Sequence, residues 1–151
     1  MSTFDTVELT AEHIDRVSEL EQLCFSHPIS KKNLETFLLG VTGKGFVSFD
    51  TKAKKLAAYG GVLLVAGEAQ VLNVATHPEY RRTGLGRNIM THIIDYSVSC
   101  GAEYITLEVR ENNVPAIALY NSLGFLVVGR IKGYYKDPTE DALIMRKELC
   151  H

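Results

Sequence analysis

Tryptophan is absent from this 151-residue chain, and cysteine and proline are scarce, with three and four copies. The cysteines, Cys24, Cys100 and Cys150, are odd in number and far apart, so they lack the close spacing of a zinc knuckle or a redox couple. We expect them to be reduced thiols. The five histidines are scattered without metal-ligand spacing, and the sequence therefore predicts no bound metal.

The chain also lacks an excess of either charge and any long apolar run. It has 16 basic and 18 acidic residues and a pI of about 6.2, so no global basic field predicts a nucleic-acid partner. The longest apolar stretch, residues 56–66, is shorter than a membrane span and contains Gly60-Gly61, which indicates a buried strand. The first residues have neither the basic start nor the apolar core of a signal peptide. We therefore expect a cytoplasmic protein with no membrane partner.

What is present is the composition of a folded globular protein, with 46% hydrophobic and 23% charged residues. No repeat, low-complexity tract or Pro/Ser-rich linker divides the chain. A length of 151 residues suits one ordinary domain. The sequence therefore predicts a single domain over residues 1–151.

Hydrophobic periodicity assigns helices and strands along the chain. Helical spacing follows Thr10, with Ile14, Val17, Leu20 and Leu23 recurring, and a second helix capped by Ser30 runs to residue 39. A long helix over 84–100 carries an apolar stripe that ends at Cys100, and a fourth helix covers 113–123. Strands are predicted over 5–9, 45–50, 56–65, 68–76, 103–109, from 125, and over 142–149. The order β α α β β β α β α β β predicts an α/β fold in which the strands before and after the long helix are parallel neighbours.

The most informative segment is the loop 81–87, with the sequence Arg-Arg-Thr-Gly-Leu-Gly-Arg. It follows an apolar strand and opens the long helix, whose N-terminus exposes unpaired N–H groups and a positive dipole end. Gly84 and Gly86 allow close approach of an oxygen atom, and the arginines add bidentate donors. The P-loop ending Gly-Lys-Ser/Thr and the three-glycine dinucleotide fingerprint are both absent. The segment predicts a phosphate-binding loop of another kind.

The pattern of Arg81, Gly84 and Gly86 after a strand resembles the pyrophosphate motif of the GCN5-related N-acetyltransferase superfamily. The resemblance covers essentially the whole chain and implies acetyl-CoA as co-substrate. It also implies a mixed, mostly antiparallel sheet of about seven strands and four helices, with a parallel pair splayed at the coenzyme site. The coenzyme-binding residues that it implies are Val74, Ala75, Thr76, Arg82, Thr83, Gly84, Leu85, Gly86, Arg87, Asn113 and Tyr120.

Downstream segments are similar to the ribosomal-protein-alanine N-acetyltransferase family. They are Leu107-Glu108-Val109-Arg110, Asn112-Asn113, residues 116–120, Leu123-Gly124-Phe125, Tyr134-Tyr135 and residues 140–145. This similarity implies transfer of acetyl to a protein N-terminal α-amino group, such as the alanine of a small-subunit ribosomal protein. Ile29, after His-Pro, and Gly133, before the tyrosine pair, depart from the family pattern.

Catalytic roles follow from the chemistry of amine acetylation and from the resemblance. The transfer needs a base for the amine and an acid for the departing thiolate. Strand alternation places Glu108 on the face opposite Leu107 and Val109, and the family's general base matches Glu108. The family's general acid matches Tyr120, for which a core tyrosine is the competing interpretation. By the same resemblance Tyr134 and Tyr135 would line the amine channel, and Glu140 or Asp141 would help to attract the positively charged N-terminus.

Two other functions remain open at this level. One is acetylation of a small amine or of a lysine side chain on the same fold, since fold does not specify substrate. The other is a sensor that binds acetyl-CoA without turnover. An open channel would favour a peptide, and a closed pocket would favour a small metabolite.

Overall fold

The computed structural model describes residues 3–149, in which four α-helices flank one seven-stranded sheet. The predicted order of elements is confirmed, with two short 3-10 turns added at Ala11–His13 and Pro78–Tyr80. The elements are β1 (Phe4–Glu8), α1 (Ile14–Cys24), α2 (Lys31–Leu38), β2 (Gly43–Asp50), β3 (Lys55–Val65), β4 (Glu68–Thr76), α3 (Leu85–Ser99), β5 (Tyr104–Arg110), α4 (Val114–Ser122), β6 (Leu126–Tyr135) and β7 (Glu140–Glu148).

The strands follow the order β1-β2-β3-β4-β5-β7-β6 across the sheet. Only β4 and β5 are parallel among these neighbours, which confirms the prediction for the strands on either side of α3. Their pairing joins Glu68–Gln70 with 104–106 and then stops, although both strands continue. The unpaired halves of β4 and β5 therefore leave an opening within the sheet.

Helices cover both faces of the sheet and create two cores. On one face α3 buries Leu85, Ile89, Met90 and Ile93 against the strands. On the other face α1 and α2 bury a second set, which comprises Ile14, Val17, Leu20, Leu34 and Leu38. Full burial of such a side chain stabilises a protein by about 1.5–3 kcal/mol. These two cores hold the divided β4–β5 pair in place from both sides.

Two adjacent glycines allow these helices to approach β3 closely. A Cβ atom at Gly60 would lie 2.4 Å from Cγ2 of Ile89 in α3, and one at Gly61 would lie 2.5 Å from Cδ2 of Leu38 in α2. Because successive strand residues face opposite sides, each glycine serves one helix. The prediction of a buried strand here is confirmed.

Gly60→Ala is expected to lower the free energy of unfolding by about 1–3 kcal/mol, because the added methyl group would overfill the core at Ile89. Urea-denaturation curves would measure the loss. Gly129→Ala is the matched control, since a Cβ atom on that edge strand would lie 3.4 Å from Cδ1 of Ile144, close to an ordinary contact. Equal losses in both variants would contradict this packing explanation.

Some predicted positions were wrong for identifiable reasons. Leu23 is 54% exposed, because nine residues at about 100° each place it opposite Ile14 on α1. Seven residues return to the inward face, and the residue there is Glu21, which is fully buried. Cys100 lies beyond the end of α3 and is exposed, whereas the apolar stripe was expected to include it. Cys150 lies outside the described residues.

Strand ends differ from the predictions by one or two residues. The first strand ends at Glu8, and the last begins at Glu140, two residues earlier than expected, because it pairs with β6 at Tyr135. Ser30 caps α2 as predicted, with its Oγ accepting a hydrogen bond of 3.2 Å from Asn33 N. No helix within residues 3–149 has the length and apolar character needed to cross a membrane.

Candidate active site

A cleft of about 650 Å³ occupies the opening between β4 and β5. One wall is β4 (residues 71–74), the opposite wall is β5 (residues 107–110), and α4 closes one end. Two exposed loops border the other end, one after α1 and one between β6 and β7. The remaining lining residues are Cys24, Phe25, Ser26, His27, Asn113, Ala116, Tyr120, Tyr134, Tyr135, Lys136, Asp137, Pro138 and Glu140.

A β-bulge shapes the β4 wall. Val74 pairs with Gly60 and Val71 with Val62, so β4 has one more residue than β3 in this interval. The extra residue lies at Leu72-Asn73, where both side chains turn towards the α1 side of the sheet. Bulges of this kind redirect strand groups beside functional sites. The bulge was not predicted from the sequence.

The predicted phosphate loop has the expected helix N-terminus. Gly84 is the N-cap of α3 with φ +85°, a left-handed conformation that favours glycine, and Arg82 has φ +65°. The first helical hydrogen bond runs from Asn88 N to Gly84 O over 3.1 Å. The N–H groups of residues 85–87 therefore lie ahead of the intrahelical ladder and are placed to receive an anion.

Other loop residues have contacts that the sequence did not reveal. A Cβ atom at Gly86 would lie 3.4 Å from Cδ2 of Leu119, close to an ordinary contact, so α3 and α4 lie next to each other at this position. Arg87 donates to Ser122 Oγ over 2.7 Å, which links the same two helices. Leu85 is buried in the α3 core. The loop is therefore attached to α4 as well as available to a phosphate.

An anchor outside the motif holds the start of this loop. Tyr80 donates its hydroxyl to Asp50 Oδ2 over 2.6 Å, and Thr83 Oγ1 donates to Tyr80 O over 2.5 Å. The hydrogen bond to Asp50 is the main cause that raises the pKa of Tyr80 to about 12, so the hydroxyl stays protonated. The interaction joins residues 30 apart, and no local sequence signal indicates it.

Glu108 faces the cleft as predicted. Its neighbours Leu107 and Val109 are buried in the core, while Glu108 is half-buried on the cleft side of β5. Its negative charge, together with burial as the larger cause, raises the pKa of the Tyr134 and Tyr135 hydroxyls. The Glu108 carboxylate therefore lies close enough to Tyr134 and Tyr135 to influence the ionisation of their hydroxyls.

Tyr120 lines the cleft from α4, and burial raises its pKa to about 12. Its ring packs edge-on against Phe125 with centroids 6.0 Å apart. Asn113 caps the same helix by accepting from Ala116 N over 3.3 Å, and it also lines the cleft. Tyr120 is therefore both a packed aromatic residue and a cleft residue, and its role as the general acid stays a prediction.

Tyr134 and Tyr135 line the cleft next to the loop between β6 and β7. Tyr134 and Tyr135 meet edge-on at 5.0 Å, and the Arg110 guanidinium lies 4.4 Å from the Tyr135 ring centroid. Arg110 also pairs with Glu140 over 3.2 Å, and the second Glu140 oxygen accepts from Asn112 N over 2.7 Å. The negative charge of the Glu140 side chain is therefore balanced by Arg110 and by a backbone N–H group.

Asp141 does not line the cleft with the other predicted residues. Its carboxylate accepts from Arg130 over 2.9 Å and from Gly133 N over 2.9 Å, and these contacts lower its pKa. Gly133 has φ +60° and precedes the tyrosine pair. The side chain was expected to attract the amine directly, but it instead holds the backbone that presents Tyr134.

The two exposed loops contact each other at the end of the cleft that they border. His27 Nε2 lies 2.7 Å from Asp137 Oδ2, and both side chains are well exposed. Among residues 3–149, no three His, Cys, Asp or Glu side chains are arranged to hold a metal ion.

Known proteins share this arrangement. The family model described as "Acetyltransferase (GNAT) family" matches residues 14–125. The chain belongs to the GNAT acetyltransferase family. The chain is therefore an acetyl-CoA-dependent N-acetyltransferase, which confirms the resemblance drawn from the sequence.

Individual relatives agree with this assignment. The [ribosomal protein bS18]-alanine N-acetyltransferase of Escherichia coli strain K12 is 37% identical over 148 residues, covering 96% of this chain and 94% of the relative. The crystal structure of the E. coli ribosomal-protein-S18-alanine N-acetyltransferase has a TM-score of 0.90 at 32% identity, covering 99% and 96% of the two chains. Arabidopsis thaliana NAA60 in complex with acetyl-CoA has a TM-score of 0.88 at 16% identity, covering 97% and 99%, and shows the shared fold.

Proposed function

We propose that residues 1–151 form one cytoplasmic N-acetyltransferase domain that transfers acetyl from acetyl-CoA to a protein N-terminal α-amino group. The acceptor that we propose is the N-terminal alanine of ribosomal protein bS18, the substrate after which the E. coli relative is named. The main support for this reaction comes from one cleft, beside the half of β4 that does not pair with β5. It is lined by Glu108, Tyr120, Tyr134 and Tyr135.

The donor half of the site is assigned to α3 and β4. The pyrophosphate would receive the N–H groups of residues 85–87 and the charge of Arg82 and Arg87, since a helix N-terminus suits an anion. The pantetheine arm would lie along the edge of β4 that β5 leaves unpaired, near Val74. Ala75 and Thr76 continue that edge beyond the cleft lining, and Asn113 and Tyr120 approach from α4.

Glu108 is assigned as the general base. An α-amino group has a pKa of roughly 7.7–8.0 and is therefore mostly protonated at pH 7. A carboxylate on the cleft wall accepts this proton directly or through water and leaves a neutral nucleophile. The neighbouring Tyr134 and Tyr135 hydroxyls stay protonated because their pKa values are raised, so they can donate hydrogen bonds to a peptide.

Tyr120 is assigned as the general acid for the departing thiolate. With a pKa of about 12 against roughly 8.5 for a thiol, complete transfer to a free thiolate would be uphill by about 5 kcal/mol. This cost exceeds the 2 kcal/mol or so that an ordinary tyrosine would face. The proton therefore moves as the carbon–sulfur bond breaks, so that the favourable collapse of the tetrahedral intermediate offsets the cost of transfer and no free thiolate has to form.

The amine half of the site favours a peptide over an enclosed metabolite. The His27–Asp137 contact at this end joins two well-exposed side chains, and because exposed pairs of this kind contribute little stability, a chain terminus can displace it and enter from the protein surface. Tyr134 is 49% exposed at this end and offers an aromatic surface to a peptide. Asp141 acts here only through Gly133, whose backbone it holds.

Mass spectrometry of peptides incubated with the enzyme and acetyl-CoA tests the acceptor. Three peptides share one sequence and begin with alanine, serine or methionine, and a fourth has a blocked N-terminus and an internal lysine. We expect acetylation of the free N-terminus, fastest for alanine. Acetylation of the lysine alone would replace this proposal with a side-chain or small-amine acetyltransferase.

Tyr80→Phe is expected to raise the KM for acetyl-CoA about threefold to tenfold with little change in kcat, because the loop loses its hydrogen bond to Asp50. Steady-state kinetics with varied coenzyme would measure the change. Tyr104→Phe, which alters a tyrosine stacked on Arg146 outside the cleft, is the control. An unchanged KM in Tyr80→Phe would remove Tyr80 from coenzyme binding.

A further inference from the structure

One carboxylate is fully buried on the α1 side of the sheet, outside the residues assigned to the reaction. Glu21 accepts three hydrogen bonds: from the Tyr59 hydroxyl, from Asn73 Nδ2 over 2.9 Å and from Ile29 N over 2.9 Å. Within the described residues these donors are neutral, and no ion pair involves Glu21. A buried carboxylate is costly unless such partners satisfy it, so its neighbours must be accurately placed.

The partners of Glu21 come from three separate segments of the chain, two of which border the cleft. Asn73 lies at the β4 bulge on the donor wall, and its side chain reaches through to Glu21. Ile29 belongs to the segment after α1 that borders the amine end. One turn further along α1, the Cys24 thiol lies 3.5 Å from Thr76 O and adds a second link to β4. Tyr59 completes the group from β3.

We propose that Glu21 is a positioning residue that holds the bulged donor strand and the amine-side loop at a fixed separation. An apolar residue could fill this space at lower cost, so the carboxylate is explained by the geometry that it imposes. Acyl transfer needs reacting atoms about 3–3.5 Å apart, and a displacement of about 1 Å can lower the rate 100-fold. The inference rests on the acetyl transfer proposed above.

A charge swap tests the Glu21–Asn73 contact. Asn73→Asp alone would place two carboxylates against each other, and we expect kcat to fall about 100-fold. Adding Glu21→Gln restores an amide–carboxylate hydrogen bond with its direction reversed, while the new amide oxygen still accepts from Ile29 N. The second hydrogen of the amide nitrogen is donated to the Tyr59 hydroxyl, which then accepts where it donated before. We expect the double variant to recover kcat to within about tenfold of wild type. If a folded double variant did not recover kcat, the contact with Glu21 would not be what Asn73 contributes to the rate, and the proposal would fail.

Tyr59→Phe separates positioning from stability. It removes a buried donor to the same Glu21 oxygen without altering either wall. We expect a lower melting temperature but a kcat within about twofold of wild type. If Tyr59→Phe and Asn73→Asp lost stability and kcat in the same proportion, Glu21 would have only a structural role.

Two precautions keep the outcomes distinct. If Asn73→Asp does not fold, Asn73→Ala replaces it, and a kcat equal to that of Tyr59→Phe at equal stability would contradict the proposal. All variants are compared on the amine that the wild-type enzyme acetylates fastest. A wrong acceptor would then appear in the wild-type peptide panel, whereas a wrong role for Glu21 would appear only in the ratios between variants.

Discussion

Glu108→Gln is expected to lower kcat/KM for the alanine-starting peptide at pH 7 by about 100-fold or more, the usual contribution of a positioned base. The amide keeps the shape of the side chain on β5 but cannot accept the proton of the amine. Above the amine pKa of roughly 7.7–8.0, most substrate already lacks that proton, so the deficit should narrow as pH rises. Rates measured from pH 6.5 to 9.5 would show this convergence.

Glu103→Gln is the matched control for the same chemical change. Glu103 is exposed just before β5 and does not line the cleft, so its variant should keep the wild-type rate at every pH. Glu108→Gln should also retain the wild-type melting temperature within a few degrees. A rate within twofold of wild type at pH 7 would exclude Glu108 as the base.

Tyr120→Phe is expected to lower kcat by on the order of 100-fold at saturating concentrations of both substrates, because the thiolate loses its proton donor. The free energy of unfolding should change by less than about 1 kcal/mol, since the hydroxyl has no hydrogen-bond partner within residues 3–149. The ring contact with Phe125 remains. Stopped-time assays together with denaturation curves would measure both quantities.

Coenzyme binding distinguishes this role from a packing role for Tyr120. Calorimetry should show nearly unchanged affinity for coenzyme A in Tyr120→Phe, because the phenyl ring keeps the α4 surface. Tyr104→Phe is the control for loss of a hydroxyl outside the cleft. A Tyr120→Phe enzyme with full kcat would assign the thiolate proton to water or to another residue.

The sequence predicted elements best where the signal was local. The strand, the Gly-rich loop and α3 are contiguous, so their arrangement followed from periodicity and from the exposed N–H groups of a helix end. Alternation along β5 correctly separated Glu108 from Leu107 and Val109. Leu23 was misplaced because steps of three residues drift around a helix and transfer the inward position to Glu21.

Long-range neighbours explain what the sequence missed. The insertion of β7 between β5 and β6 places the tyrosine pair beside Glu108, and no periodicity encodes strand order. Asp141 was expected to attract an amine, but its two oxygens accept hydrogen bonds from Arg130 and Gly133. The anchor between Tyr80 and Asp50 depends on the fold in the same way.

The sequence by itself predicted a phosphate-binding loop, because a strand, a glycine-rich loop and a helix N-terminus place contiguous backbone N–H groups towards an anion. The family resemblance added acetyl-CoA and the reaction. Only the tertiary structure decided how far apart the walls of the cleft lie. The splay of β4 from β5, the bulge at Asn73 and the buried Glu21 all contribute to that separation. It depends on side chains that are distant in sequence and become neighbours only when the two cores form.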